Sequence, residues 1–352
     1  MTIRPGEGGL VPDAPHALRS DLPPTIPQIA EGFYAPGPFE TDTMSSANSK
    51  FIVVGEKEVA ILEPGEPAQV APLLHCVREL GIDFKRITYI IPTHVHTHHS
   101  SAIPLLLKEL PNAMAVVHKR AIPHMIDPTK LNASTKQIWG DKVCADQEPV
   151  PADRLIGVEG GEIFDLGGRK LEIVNTEGHA SHHIAIFDHL TRTAVVGDAV
   201  SMGPSHAGGR IGMTPPMFHV EKSIAGLRRL KELNPIRICD WQGAIAYYQA
   251  VQRLDAAIED ALATERIVLK AMREKQPAKE IARRLKEYDK EVGMTGLSPA
   301  EQAPQEREEA EERGPVALYR YLIMKYPELE MPEGAIKEGG GPERDRIPGQ
   351  PR

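Results

Sequence analysis

The sequence predicts an α/β sandwich made of mixed β-sheets, and two patterns carry that prediction. Short apolar runs rich in β-branched residues alternate with segments of helical periodicity. Two of these runs, FIVV at 51–54 and VAILE at 59–63, are close enough in sequence to form a β-hairpin. A hairpin pairs its strands antiparallel, whereas strands joined through a helix pair in parallel. The combination therefore favours mixed sheets over a purely parallel, doubly wound sheet.

The remaining expected elements continue this alternation along the chain. RITYII at 86–91 is a short apolar run of the buried-strand type, and it leads directly into a cluster of histidines. We expect helices at 67–80, 101–109 and 119–126, and further strands at 113–117, 171–175, 184–187, 193–197 and 236–239. The histidines therefore follow the carboxyl end of a strand.

Composition divides the chain into four parts. Residues 1–40 are rich in proline and lack periodic apolar positions, so we expect an extended N-terminal arm without a fold of its own. Residues 41–245 contain the predicted strands and form the main domain. Residues 246–332 repeat apolar positions at helical spacing, which predicts a helical C-terminal extension. Residues 333–352 are rich in glycine, proline and charge, which predicts a disordered tail.

Bulk properties disfavour several classes of protein. With 352 residues and a net charge of -8, the chain can bury a full core but does not attract nucleic acid or anionic lipid through its overall charge. No apolar run approaches the roughly 20 residues of a membrane span. The N-terminus lacks the apolar segment of a secretory signal, so we expect a cytoplasmic protein. The expected partner is a small-molecule substrate. The 3 cysteines indicate neither a disulfide framework nor a thiolate metal site.

Four histidines are concentrated in the segment THVHTHHS at 93–100, although the whole chain has only 14. In an extended or irregular segment, residues two apart point the same way, so His94 and His96 can bind one ion, whereas the adjacent His98 and His99 diverge. Neutral imidazole suits zinc, iron, nickel and copper. The cluster therefore predicts a transition-metal site in preference to a solvated loop or a helix cap.

The histidine motif and two later segments resemble the metallo-β-lactamase superfamily, whose strand-end motif has the form H-x-H-x-D-H. Here the motif reads HVHTHH at 94–99. TEGH at 176–179 resembles the loop that carries the third histidine of the family, and VGD at 196–198 resembles its strand-end bridging aspartate. The resemblance covers about 41–245. It implies an αββα sandwich with the metals at one edge, between the sheets.

The resemblance also implies a set of metal ligands. It assigns His94, His96 and His179 to a first ion. It assigns His99 and Asp198 to a second ion, with Asp198 bridging the two. The expected cofactor is one or two zinc ions, and iron is the alternative.

The sequence departs from the family motif at two places. His98 stands in place of the aspartate of the motif, and the segment ICDWQG at 238–243 has Trp241 or Gln242 where a last histidine is expected. A second ion would bind weakly unless His98 or Asp240 joined its ligands. A centre with a single ion is therefore the competing prediction.

Three functions are compatible with the sequence. The leading one is a metal-dependent hydrolase, in which a metal-bound hydroxide attacks a small-molecule ester, lactone, thioester, amide or activated carbon–halogen bond. In that reaction Asp198 belongs to the catalytic centre, and His98 could act as a proton shuttle because imidazole titrates near neutral pH. The second is an iron-dependent oxidoreductase of the same fold. The third is a degenerate, non-catalytic metal-binding or scaffold protein that uses its helical segment 246–330 as a contact surface.

Two further histidine-containing segments lie outside the motif. His124 and Asp127 are three residues apart and would share a helix face, so they could hold a structural metal, including across the two-fold contact of a homodimer. The competing interpretation is an ordinary helix end stopped by the following proline. For His182 and His183 we favour packing around the metal centre over direct ligation.

A long segment rich in glycine and proline, 202–216, is expected to form part of the rim of the metal cleft. Within it, His206 and Arg210 are candidates for contact with a polar or anionic substrate, although exposure without a role explains them equally well. Trp241 and Gln242 are the other predicted cleft residues.

Overall fold

Two mixed β-sheets of seven and six strands form the centre of the molecule. The computed structural model describes residues 26–37, 50–139, 146–200, 218–240, 245–247, 249–292 and 315–335. Both sheets combine parallel and antiparallel neighbours. The predicted fold class, an αββα sandwich of mixed sheets, is confirmed.

The strands of each sheet lie side by side in chain order. The first sheet contains β1 (Gln28–Ala30), β2 (Phe33–Tyr34), β3 (Phe51–Val54), β4 (Val59–Leu62), β5 (Ile87–Ile91), β6 (Met114–His118) and β7 (Leu155–Val158). The second contains β8 (Ile163–Asp165), β9 (Lys170–Asn175), β10 (Ile184–Asp188), β11 (Thr193–Gly197), β12 (Arg237–Asp240) and β13 (Ile245–Tyr247). The strands β4 to β7 are parallel to one another, as are β11 and β12.

Helices flank the two sheets. They are α1 (Val70–Glu79), α2 (Thr97–Ser100), α3 (Ile103–Glu109), α4 (Ile122–Ile126), α5 (Thr129–Trp139), α6 (Val220–Glu232), α7 (Ala250–Arg273), α8 (Ala278–Glu291) and α9 (Val316–Lys325). Among the described residues, no helix has both the length and the apolar character needed to cross a membrane.

The period-two alternation of the strands separates the core into layers. Val53 of β3 packs in the layer between the sheets with Ile173 of β9 and Ile186 of β10. Its neighbour Ile52 points the opposite way and packs with Leu73 of α1 on the outer face. A third layer joins the outer face of the second sheet to α6, α7 and α9. Strands buried on both faces explain why their sequences are apolar throughout.

The structure corrects two expectations about where strands occur. β1 and β2 fall in the segment 1–40, where we expected no fold, and Phe33 is fully buried against Phe51, with ring centroids 5.7 Å apart. The reason is long-range pairing of β2 with β3, which a local pattern does not reveal. β13 (Ile245–Tyr247) extends past residue 245 into the segment where we expected only helices. The helices α7 to α9 lie within the predicted helical extension 246–332.

A buried arginine connects the two sheets. Arg169, next to β9, donates to both carboxylate oxygens of Asp188 on β10, at 3.2 and 2.7 Å. The same guanidinium donates to the carbonyl oxygens of Glu31 at 2.8 Å and Val54 at 3.1 Å, in the first sheet. Arg169 and Asp188 are 3% and 1% exposed, so neither charge can be solvated if its partner is lost.

Replacing Arg169 with Met should lower the free energy of unfolding by about 3–5 kcal/mol, because it leaves the Asp188 carboxylate buried without its cation. Urea denaturation followed by circular dichroism measures the change. Lys108→Met is the control, since Lys108 pairs with Glu148 at the surface, and surface pairs contribute little. Equal stability of the Arg169→Met variant and the wild type would contradict this role.

Candidate metal centre

Five segments end or begin at one edge of the sandwich, and each brings a polar side chain there. Glu63 follows β4, and the histidine motif that starts at His94 follows β5. His179 lies between β9 and β10, and Asp198 follows β11. His183 stands immediately before β10. Because the carboxyl ends of parallel strands meet at one edge, residues far apart in sequence converge here.

The first donor group consists of His94, His96, His179 and Asp198, whose ligand atoms all lie within 4.8 Å of one another. Nε2 of His94 lies 2.7 Å from Nδ1 of His96. Nε2 of His179 lies 3.2 Å from the same His96 nitrogen and 3.1 Å from Oδ2 of Asp198. The structure therefore brings together the four residues assigned to the first ion by resemblance.

The spacing within this group fits a bound cation. Around a tetrahedral zinc ion with bonds of about 2.0–2.1 Å, neighbouring donor atoms are roughly 3.3 Å apart. Nδ1 of His96 faces two other imidazole nitrogens, and a ring nitrogen has one in-plane lone pair or one hydrogen to offer. Nδ1 of His96 can therefore form a good hydrogen bond with only one of these two nitrogens. An ion between the rings would instead accept a lone pair from all three nitrogens at once.

The second donor group consists of His98, His99 and Asp198, again within 4.8 Å of one another. Nε2 of His99 lies 3.4 Å from Oδ1 of Asp198, so the two carboxylate oxygens of Asp198 face different groups. Nδ1 of His99 is hydrogen-bonded to Oε2 of Glu63. A carboxylate on the far side of a metal-binding imidazole fixes the ring and directs its other nitrogen towards the ion.

Burial keeps most imidazoles of this centre in the neutral form that binds metal. Burial is the largest cause that holds the pKa of His94 and of His96 well below the ordinary value, and neighbouring imidazoles lower it further. Burial, with a contribution from His99, also lowers the pKa of His98 to about 3. Protons therefore compete weakly with a metal ion for these nitrogens.

The pKa of His99 shifts in the opposite direction. Burial alone would lower its pKa, but the carboxylates of Glu63 and Asp198 outweigh burial and raise it to about 10. Burial disfavours the Asp198 carboxylate, yet His179 and His99 hold its pKa well below the usual range. Without an ion, protonated His99 therefore compensates for the Asp198 carboxylate, and an ion bound at Nε2 of His99 would displace that proton.

A family model described as the metallo-beta-lactamase superfamily matches residues 44–239, more than half of the chain. The chain belongs to the metallo-beta-lactamase superfamily. The metallo-beta-lactamase fold-containing protein ST1585 of Sulfurisphaera tokodaii is 28% identical over 207 residues, which cover 56% of this chain and 72% of that protein. Together with the buried cluster of histidines and Asp198, membership supports binding of a divalent metal.

Solved structures of the superfamily have the same fold. The crystal structure of the archaeal protein ST1585 from Sulfolobus tokodaii has a TM-score of 0.53 and 24% identity, with 66% of this chain and 86% of that chain covered. The metallo-beta-lactamase family protein TTHA1429 from Thermus thermophilus has a TM-score of 0.58 and 17% identity, with 85% and 95% covered. At these identities the likeness concerns the fold and leaves the reaction open.

In this superfamily member His183 holds neighbouring residues of the centre in place through two hydrogen bonds. Its Nδ1 is 2.7 Å from the Thr176 hydroxyl, and its Nε2 accepts the backbone N–H of Asp198 at 3.2 Å. Both ring nitrogens are thus engaged within the protein, which matches the expectation of packing rather than ligation. His182 lies nearer the surface, with its ring centroid 6.2 Å from that of His96 and 6.0 Å from that of His124.

Two of the predicted residues, His124 and Asp127, lie outside the two donor groups. The Asp127 carboxylate accepts hydrogen bonds from the backbone and hydroxyl of Thr129, at 3.1 and 2.7 Å, at the start of α5. In the part of the chain that the structure describes, neither His124 nor Asp127 belongs to a group of three or more potential ligands. A structural metal shared across a homodimer at this pair stays a prediction. His206, Arg210, Trp241 and Gln242 lie outside the described residues.

Asp240 does not join the second donor group. It is fully buried at the end of β12, and its charge interacts with the guanidinium of Arg253 on α7. Of the two residues that could complete the second group, the structure brings only His98 to it.

The sequence interpretation missed Glu63, which contacts the centre directly. Besides its bond to His99, Glu63 accepts the backbone N–H of Thr93 at 2.5 Å, so it joins the turn after β4 to the start of the histidine motif. Its signal was present: a charged residue ends the buried strand VAIL and precedes a Pro-Gly turn. A buried strand end is a costly place for a carboxylate without a partner.

Gly197 allows β11 to approach the histidine motif closely. Its φ is +48°, and an added Cβ would lie 2.2 Å from Oγ1 and 2.7 Å from Cβ of Thr93. Thr93 precedes His94 and Gly197 precedes Asp198, so the contact sets the distance between two predicted ligands. A side chain at position 197 would push these ligands apart.

The variant Gly197→Ala should therefore lose most of its bound metal, because a shift of a few tenths of an ångström at each ligand disrupts the coordination geometry. Metal content per chain, measured after gel filtration, tests this. Gly81→Ala is a matched control, because Gly81 also has a positive φ, +67°, but nothing lies within 4 Å of an added Cβ. Equal metal content in the two variants would refute the role of this close approach.

Proposed function

We propose that this superfamily member is a metal-dependent hydrolase that acts on a small-molecule electrophile. One observation carries the proposal: two donor groups share the carboxylate of Asp198, and each group places its ligand atoms within 4.8 Å of one another. The shared residue would hold two ions side by side, an arrangement suited to hydrolytic displacement.

The residues of the first group would hold one ion through three imidazoles and one carboxylate oxygen. A divalent ion in such a site supplies Lewis acidity and lowers the pKa of a coordinated water to about 7. The protein holds the rings in place: Thr93 contacts Nδ1 of His94 at 3.2 Å, and His183 fixes the backbone of Asp198. The ligands are therefore orientated before any substrate arrives.

His98 is the residue that distinguishes this centre from the family motif. Its ring lies 4.3 Å from that of His99, and the residue is partly exposed. We assign it as the third donor of the second group, in place of the aspartate of the motif. The replacement exchanges an anionic donor for a neutral one, so the second ion should bind more weakly than the first. A role of His98 in proton transfer is the competing assignment.

The metal content of the purified protein tests the proposal. We expect about two equivalents of zinc per chain in the wild type, about one in the His98→Ala variant, and loss from both groups in Asp198→Ala. His75→Ala is a matched control, since His75 is exposed on α1. This donor set suits both zinc and iron, so the metal that is found discriminates between the functions. Iron in place of zinc would favour the oxidoreductase. No metal above background after incubation with zinc or iron would leave only the scaffold function.

Removal of the metal tests the reaction class. Hydrolysis of a panel of esters, lactones, thioesters, amides and activated carbon–halogen compounds should be lost after dialysis against a chelator and recovered on addition of zinc. The recovery should fail in Asp198→Ala and succeed in His75→Ala. Hydrolysis that survives complete removal of metal would contradict the proposed mechanism.

A further inference from the structure

A buried lysine lies beside the second donor group. Lys50 precedes β3 and is 0% exposed, although lysine is rarely buried without an anionic partner. Within the described ranges, Lys50 and Arg169 are the two lysine or arginine side chains classed as buried. Arg169 pairs with Asp188 at the last residue of β10, the end away from His183. Lys50 therefore needs a separate explanation.

The turn after β4 is shaped around the Lys50 side chain. Gly65 in this turn has a φ of +80°, and a Cβ added there would lie 2.6 Å from Cε and 3.0 Å from Nζ of Lys50. The same Cβ would lie 2.2 Å from Oε1 of Gln69, so lysine and glutamine side chains occupy the space that glycine leaves free. The ammonium group is therefore enclosed by the turn and does not reach solvent.

Two carboxylates are buried in the same turn. Glu63 is 2% exposed and Glu66 is 1% exposed. Two buried anions so close in sequence repel each other and each loses its hydration, which destabilises the turn unless a cation lies between them. Burial lowers the pKa of Lys50 to about 7, while the charges of Glu63 and Glu66 act to raise it. The turn thus contains both the excess negative charge and the cation that can balance it.

The turn is connected to the residues of the second donor group. The N–H of Gly65 donates to the carbonyl oxygen of His99 at 3.1 Å, and the carbonyl of Gly65 accepts from Ala102 at 2.9 Å. Glu63 bonds to Nδ1 of His99 through its side chain. A change in the charge or position of this turn therefore reaches the His99 ring directly.

We propose that Lys50 is a positioning residue for the second metal: its ammonium balances the buried Glu63 and Glu66 carboxylates, and so keeps Glu63 bonded to Nδ1 of His99. With that nitrogen occupied, His99 presents Nε2 to Asp198 and to the ion. The proposal rests on the metal centre of the proposed function, and it adds a residue that contacts neither the ion nor the substrate. Lys50 acts through its charge, so removal of one of the two anions should compensate for its loss.

Cobalt titration and competition with a chromophoric chelator test this, with affinity and stoichiometry as readouts. The Lys50→Met variant should bind the first equivalent with unchanged affinity and the second about 10–100-fold more weakly, the usual effect of losing support behind a ligand. The double variant Lys50→Met with Glu66→Gln should recover most of the loss, because it removes one anion with the cation. Lys57→Met, at an exposed position, is the matched control.

The outcomes separate this proposal from the proposed function. A wild type that binds no metal overturns the hydrolase assignment. A wild type that binds two equivalents, with Lys50→Met indistinguishable from it, overturns only the role of Lys50. A wild type that binds one equivalent also overturns that role. Loss of the second equivalent without recovery in the double variant shows that Lys50 acts by packing and contradicts a role through charge. If Lys50→Met does not fold, the double variant must fold and bind two equivalents.

Discussion

The carboxylate of Asp198 is the point on which the rest of the site depends. It is 6% exposed, and its two oxygens face imidazoles from two different donor groups. A buried carboxylate is stable only where cations or hydrogen-bond donors compensate for its lost hydration. In this molecule the compensating groups are imidazoles and, in the proposed function, the ions that they bind. The architecture at this edge can be understood as the means of holding that carboxylate in place.

Each layer of the fold contributes to this arrangement. Parallel pairing of β4, β5 and β6 brings the turn at Glu63 and the histidine motif to one edge. The second sheet brings His179 and Asp198 to the same edge, and the N–H of Ile184 joins the sheets there by donating to the carbonyl of Thr93 at 2.8 Å. Next to these ligands, Glu63 orients the His99 ring and His183 fixes the backbone of Asp198. We propose that Lys50 balances the charge of the Glu63 carboxylate, which holds the His99 ring.

The sequence predicted the fold class and the histidine cluster because both depend on local patterns. The hairpin of β3 and β4 and the spacing of His94 to His99 are visible within a few residues. The pairing of β1 with β2 and of β2 with β3 was not predictable in this way, since Phe33 has no local signal that places it against Phe51. Lys50 and Glu63 were missed for the same physical reason: a buried charge is recognised by its partners, and those partners are distant in sequence.

The most direct test of this account is anomalous diffraction at the zinc edge from crystals grown with zinc. If Asp198 bridges two ions, two peaks should lie at the edge of the sandwich, each within about 2.0–2.2 Å of a different oxygen of Asp198. One peak would be surrounded by His94, His96 and His179, and the other by His98 and His99. A single peak away from Asp198, for example between His124 and Asp127, would contradict the shared carboxylate and with it the proposed centre.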